Sequence, residues 1–236
     1  MSETGYSICY GENDIPYQMS FSQRKSLEIS VHPDSSVLVK APFGTDPEDI
    51  EIRVKKKARW IKRQIRYFEQ FNPRTPDRKY VGGETHLYLG KQYRLKINND
   101  TKNSVKLING FFLISSRDTD HVMIKKLLDN WYRQKATLYF TKIFDECWGK
   151  FKKMNYIKPT LKIIKLQKRW GSLSKSGTLS LNIDLIKAPK ECLEYVVIHE
   201  LCHLLHHDHS SSFYKALDKL LPDWVQRKLR LEMALI

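Results

Sequence analysis

Residues 199–203 read His-Glu-Leu-Cys-His, and the chain continues Leu-Leu-His-His-Asp-His to residue 209. On a helix, positions four apart stand about 40° apart around the axis and one turn along it, so His199 and His203 can grip one metal ion from the same face. Glu200 falls about 100° round from His199. It can reach a metal-bound water but is badly placed to be a ligand, which makes it the candidate general base. A third ligand must come from His206, His207, Asp208 or His209. His206 would lie about 10 Å beyond His199 if the helix continued, too far for a zinc–nitrogen bond of about 2.0–2.1 Å. His209 can swing back once the chain leaves the helix near residues 206–208, and it is the expected third ligand.

The elements that must position these residues are legible around them. Leu193, Val196, Val197, Leu201 and Leu204 give an apolar helical frame, so Tyr195 to Leu205 is expected to be one helix, with Pro189 in its first turn. The ten-residue spacing from His199 to His209 also occurs in metzincins, but those turn on a glycine where this chain has His206. The turn must therefore differ. Ser210 can cap a following helix, Ser211 to Leu221, before Pro222. Upstream, a strand over Leu161 to Leu166, the segment Lys168-Arg169-Trp170-Gly171-Ser172-Leu173, a turn at Ser174 to Gly177 and a strand over Thr178 to Ile183 place a hairpin just before the metal helix. Arg169 and Trp170 on that hairpin are candidate substrate contacts.

Further upstream, Asp118 to Asp120 can cap a long scaffold helix reaching Lys150, with apolar contacts from Ile124, Leu127, Leu128, Trp131, Leu138, Ile143, Phe144 and Phe151. Alternation at Leu27 to Val31 and Val37 to Lys40 predicts an antiparallel hairpin turning at residues 32–36. Thr45 or Asp46 can cap a helix from Glu48 to Phe71 whose stripe is Val54, Ala58, Ile61, Ile65 and Phe68. Asn72 to Asp77 reads as a loop. Short strands follow at Thr85 to Leu89, Gln92 to Ile97, Ser104 to Leu107 and Gly110 to Ser115. The fold class expected is α+β: a β-rich N-terminal half (residues 1–117) with one amphipathic helix, and a zincin-like C-terminal region (118–236) carrying the metal site behind its hairpin.

The 236 residues suffice for one large domain or two small ones. No apolar run is long enough to cross a membrane and no secretory signal opens the chain, so a cytoplasmic protein is expected. Cys9, Cys147, Cys192 and Cys202 are scattered without a C-x-x-C pair, which argues for reduced thiols rather than disulfides or a cysteine zinc site. Cys202 is expected to be a packing residue. The net charge of +15 is uneven. Residues 53–68 hold eight Lys or Arg, residues 150–175 hold nine, and neither block has an acid. Such blocks attract phosphates and nucleic acid, and are also what a solvated face looks like. Trp60 and Tyr67, lying among the cations, are candidates for stacking on bases.

Arg169-Trp170-Gly171-Ser172, Leu181-Asn182, the 199–203 motif and His209-Ser210 with Phe213 together resemble the YgjP-like family of metal-dependent hydrolases, relatives of the SprT-like zincins. Val31-His32-Pro33-Asp34, Ala41-Pro42, Ala58-Arg59-Trp60-Ile61 and Tyr88-Leu89-Gly90 extend the likeness over nearly the whole chain. It implies His199, His203 and His209 as ligands and Glu200 as base. Leu173 departs from the family, which often has cysteine after Gly-Ser. Some members are described as UTP pyrophosphatases, so the resemblance leaves the substrate class open.

Three imidazoles would leave zinc, or another divalent transition metal, one open position for water. The favoured chemistry is hydrolysis of a peptide or protein, with the hairpin edge holding an extended strand. The alternative is a nucleoside triphosphate held by Arg169, Lys168 and Lys175. A third reading, a basic nucleic-acid-associated protein with a structural metal, needs Asp208 or Cys202 as fourth ligand. Hydrolysis of proteins bound to DNA would combine the first reading with the basic blocks.

Overall fold

The computed structural model describes residues 4–11, 13–32, 34–70, 78–167 and 169–235. Pro33 of the expected turn, Phe71 at the expected helix end, the 72–77 loop and Lys168 lie outside the described residues. The fold is mixed α+β, with three small sheets and six α-helices among the described residues. The chain divides into two compact units, Met1–Thr75 and Pro76–Leu235. The boundary expected after residue 117 falls inside the second unit. No helix among the described residues is long and apolar enough to cross a membrane.

In the first unit, β1 (Thr4–Tyr10), β2 (Asn13–Ser22), β3 (Glu28–Val31) and β4 (Val37–Pro42) form one sheet in the order β1-β2-β4-β3, with β2 and β4 parallel. The β3–β4 hairpin is antiparallel, as its alternation predicts. Pro16 fits because β2 pairs only with β1 there; the ladder to β4 starts at Gln18. Tyr17 and Met19 from β2, and Val37, Val39 and Ala41 from β4, bury one face of the sheet. The single helix expected over 48–71 is two: α1 (Pro47–Lys56) and α2 (Ala58–Glu69). The break is at Lys57, with φ −98° and ψ 1° and an N–H that closes tightly onto the Val54 carbonyl. The apolar stripe survives it, because Ile50, Val54, Ala58 and Ile61 are all fully buried. Burying an Ile or Val contributes about 1.5–3 kcal/mol. Asp46 is the cap, its side chain accepting from the Glu48 N–H at 3.0 Å.

The second unit repeats the sheet order: β5 (Thr85–Tyr88), β6 (Lys91–Asn99), β7 (Ser104–Ile108) and β8 (Phe111–Ser116) run β5-β6-β8-β7, with β6 and β8 parallel. Helix α3 (His121–Trp148), capped by the Asp120 carboxylate on the Val122 N–H at 3.1 Å, lies against them. Phe112 and Trp131 rings meet at 5.0 Å, so sheet and helix share one core. Leu138, expected among the helix's apolar contacts, is 71% exposed, while Ala136 and Phe140 are buried. Two residues on from Ala136, it has turned about 200° away from the core.

The rest of the unit builds the site. Strands β9 (Thr160–Ile164), β10 (Gly171–Leu173) and β11 (Thr178–Asn182) pair in the order β10-β11-β9, leaving β10 at an edge. Helices α4 (Lys190–Cys202), α5 (Ser211–Leu220) and α6 (Trp224–Leu235) follow; sequence reasoning missed α6. Pro189 is the cap position of α4 rather than inside its first turn. The β5–β6 turn holds that end: Leu89 and Gly90 donate to the Ile186 and Lys187 carbonyls at 2.9 and 3.0 Å. At Gly90 φ is +77° and a Cβ would come within 2.7 Å of the Pro189 ring, so a side chain there would push α4 away.

Candidate metal centre

Helix α4 is apolar on nearly every side and correspondingly buried, from Cys192 to Cys202. Two polar side chains stand out on it, His199 and Glu200. The helix stops at Cys202, three residues short of the expected Leu205. Its last turn tightens, with the His203 and Leu204 N–H groups donating to the Glu200 and Leu201 carbonyls. His203 still has φ −67° and ψ −12°, close enough to helical to keep its ring one turn from that of His199.

The chain then turns back and brings His209 to the pair. His209 Nε2 lies 3.0 Å from His199 Nε2. One donor nitrogen from each of His199, His203 and His209 falls within 4.8 Å of the others. Nitrogens bound tetrahedrally to one zinc would be about 3.3 Å apart, given bonds of 2.0–2.1 Å. His206 does not join them. Its backbone carbonyl instead accepts from His203 Nδ1 at 3.1 Å, which leaves His203 Nε2 free to be a donor atom. Neither Asp208 nor Cys202 belongs to the group among the described residues, and Cys202 is fully buried as a packing residue.

Burial pushes His199 down to about 4, with His209 and His203 adding to the shift, and burial also lowers His203. Both are therefore neutral near pH 7, as metal ligation requires. Beneath the three rings lies Phe213 of α5, fully buried, with its centroid 5.0, 4.8 and 4.7 Å from those of His199, His203 and His209. Ser210 occupies the α5 cap position without a side-chain capping bond.

Glu200 is 8% exposed and points toward the hairpin rather than at solvent. A Cβ at residue 171 would come 2.8 Å from its Cγ and 2.9 Å from Oε1, so Gly171 is what lets the carboxylate lie against β10. Burial raises the Glu200 carboxyl to about 7, against the pull of a hydrogen bond from the Leu173 N–H and the charge of Arg169. In the β10–β11 ladder, Trp170 and Ser174 pair with Asn182 and Thr178, so alternation turns the main-chain groups of Gly171 and Leu173 outward. Leu173 thus contributes its N–H, a role its side chain could not have revealed.

Arg169 is exposed beside this edge, and Trp170 is half-buried against the core. Asn182, buried at 4%, holds both: its backbone N–H donates to the Trp170 carbonyl at 2.8 Å, and its side-chain amide donates to the Leu166 and Arg169 carbonyls at 2.8 and 3.2 Å. Its carbonyl oxygen accepts from the Asp184 N–H at 3.2 Å. Asn182, Gly171 and Tyr195, whose ring stands edge-on to His199 at 5.7 Å, were not singled out for a role from sequence. The basic block around the hairpin is partly neutralised by acids from elsewhere: Lys158 pairs with Asp145 at 2.6 Å, and Lys165 and Lys187 pair with Asp184.

A model of the YgjP-like metallopeptidase domain matches residues 25–234. Among solved structures, the metallopeptidase zymogen abylysin of Pyrococcus abyssi is 24% identical, covering 41% of this chain and 94% of its own, with a TM-score of 0.37. The zymogen jannalysin of Methanocaldococcus jannaschii is 22% identical over 41% of this chain and 97% of its own, also with a TM-score of 0.37. No curated protein matches the chain. The chain belongs to the YgjP-like metallopeptidase family, and is a metal-dependent hydrolase.

Proposed function

We propose that this protein is a zinc-dependent peptidase with His199, His203 and His209 as ligands and Glu200 as general base. The observation that carries the reading is the convergence of three imidazole nitrogens, with a buried carboxylate on the residue that follows the first of them. Nitrogen donors of this kind suit zinc or a similar divalent transition metal, whereas magnesium and calcium take oxygen. Three ligands, with no fourth among the described residues, favour a catalytic site over a structural one. Bound there, the metal would acidify a water molecule and polarise the scissile carbonyl.

Glu200 takes the proton of the attacking water and passes it to the leaving amine. Burial raises this carboxyl, which makes it a better proton acceptor in the first transfer and leaves it able to donate in the second. The Leu173 N–H fixes the carboxylate's direction, and Gly171 leaves it room. The outward main-chain groups of β10 offer an extended peptide a strand to pair with. Arg169, exposed at the start of that edge, is the candidate donor to charge developing on the substrate.

The nucleoside triphosphate reading, with Arg169, Lys168 and Lys175 on the phosphates, is weaker, because the matching family model is a metallopeptidase domain and an all-imidazole donor set suits zinc better than the magnesium that usually accompanies phosphates. The deciding experiment sets wild type beside Glu200→Gln, both loaded with zinc, against unfolded casein and UTP. Casein cleavage lost in the variant at unchanged zinc content supports the peptidase. UTP cleavage lost in the same way replaces it. No turnover of either substrate, with one zinc per chain retained, removes the catalytic reading as it stands.

A further inference from the structure

The two basic blocks part company in the structure. Two cations of the hairpin block, Lys158 and Lys165, find carboxylates, whereas cations of α1 and α2 gather around a cleft of about 820 Å³ in the first unit. Lys56, Lys57, Arg59, Lys62, Arg63 and Arg66 line it, and among the described residues no acid does. None of the six forms an ion pair among the described residues. Lys62 instead lies 5.2 Å over the Tyr10 ring and donates to the Tyr10 carbonyl at 3.3 Å. Like charges held around one hollow repel, and folding gains nothing from the arrangement.

Two aromatic rings complete the lining, Tyr10 and Trp60. Trp60 is half-buried and also borders an adjoining hollow of about 450 Å³, with Leu27 and Ile29 as its apolar wall. Along α2, Arg59, Arg63 and Arg66 share one face and span about 10 Å. That length is within reach of about two or three successive phosphates of a single strand.

We infer that this cleft binds single-stranded nucleic acid, with the α2 arginines on the phosphates and Trp60 and Tyr10 stacking on bases. Concavity and rings together select the single strand: a duplex keeps its base faces inside the stack, where no side chain in a cleft reaches them. The inference is independent of the metal centre, and Glu200→Gln leaves binding unchanged.

The test uses the full chain and fluorescein-labelled oligothymidylate of about 12 nucleotides, read by anisotropy from about 50 to 200 mM salt. Six cations on phosphates predict a log–log salt slope near −4, and Arg63→Ala, at an exposed position, reduces its magnitude by about 0.7. Arg59→Glu with Arg63→Glu weakens binding by more than about tenfold. Trp60→Leu keeps apolar packing and loses the stacking face, which weakens binding about tenfold at an unchanged slope. Tyr10→Ser, on an exposed strand position, reads stacking a second way without touching the core. No salt-dependent binding overturns the inference. So does equal affinity for a duplex, for heparin or for anionic phospholipid vesicles with Trp60→Leu and Tyr10→Ser both neutral, which would make the cleft a general polyanion surface.

Discussion

Gly171 and Glu200 are in contact across the gap between an edge strand and a helix: a Cβ on residue 171 would sit 2.9 Å from Glu200 Oε1 and 3.0 Å from Val196 Cγ1. Glycine here supplies space rather than an unusual backbone angle, since Gly171 is not among the residues with positive φ. Gly171→Ala should push the carboxylate off the Leu173 N–H. Under the proposed reaction, kcat/KM on casein peptides then falls about 100-fold, within the range that a displaced general base costs, while zinc content stays at wild type. Wild-type activity in this variant would show that the carboxylate does not need its place against β10.

His209 and His206 make a matched pair of variants. His209→Ala removes a donor nitrogen, and zinc affinity should fall by more than about 100-fold, beyond the range seen for outer-shell changes. His206→Ala keeps the backbone carbonyl that holds His203 Nδ1, so affinity should change by less than about tenfold. Competition with a chromogenic chelator measures both, and equal losses would remove the distinction between them.

Phe213 ties the centre to the core. Truncating a fully buried phenylalanine costs about 3–5 kcal/mol, and this ring also underlies all three histidines. Phe213→Ala should lower the urea midpoint and weaken zinc binding together, whereas Leu217→Ala, one turn along α5 and equally buried, should lower the midpoint with a smaller effect on zinc. Identical zinc affinities in the two variants would deny Phe213 its positioning role.

Asp184 gives the fold a pH dependence of known sign. Burial opposes its ionisation, but Lys187 and Lys165 more than offset this and hold its carboxyl below the ordinary value. A depressed folded-state pKa contributes stability that is present above the unfolded value of about 3.9 and is lost as pH falls through the folded one. Asp184→Asn should therefore cost about 1–3 kcal/mol at pH 7, the scale of hydrogen bonds to charged groups. The difference should close in acid. Urea midpoints at both pH values test this, and a constant gap would assign the loss to something other than charge.

What the sequence determined by itself is local. The spacing of His199, Glu200 and His203 needs only helical periodicity, and the apolar positions around them require that helix to be buried. The β3–β4 and β10–β11 hairpins follow from alternation and turn residues within one short span. Only the tertiary structure decided the rest, because it depends on which distant segments meet. It set Gly171 against Glu200, aimed the Leu173 N–H at a carboxylate 27 positions away, and spent His206 on orienting His203. It also separated two basic blocks that look alike in one dimension: acids remote in sequence reach Lys158 and Lys165 of the hairpin block, and among the described residues none lines the cleft of α1 and α2. Charge within a segment is a property of composition, whereas its compensation is a property of what folds beside it.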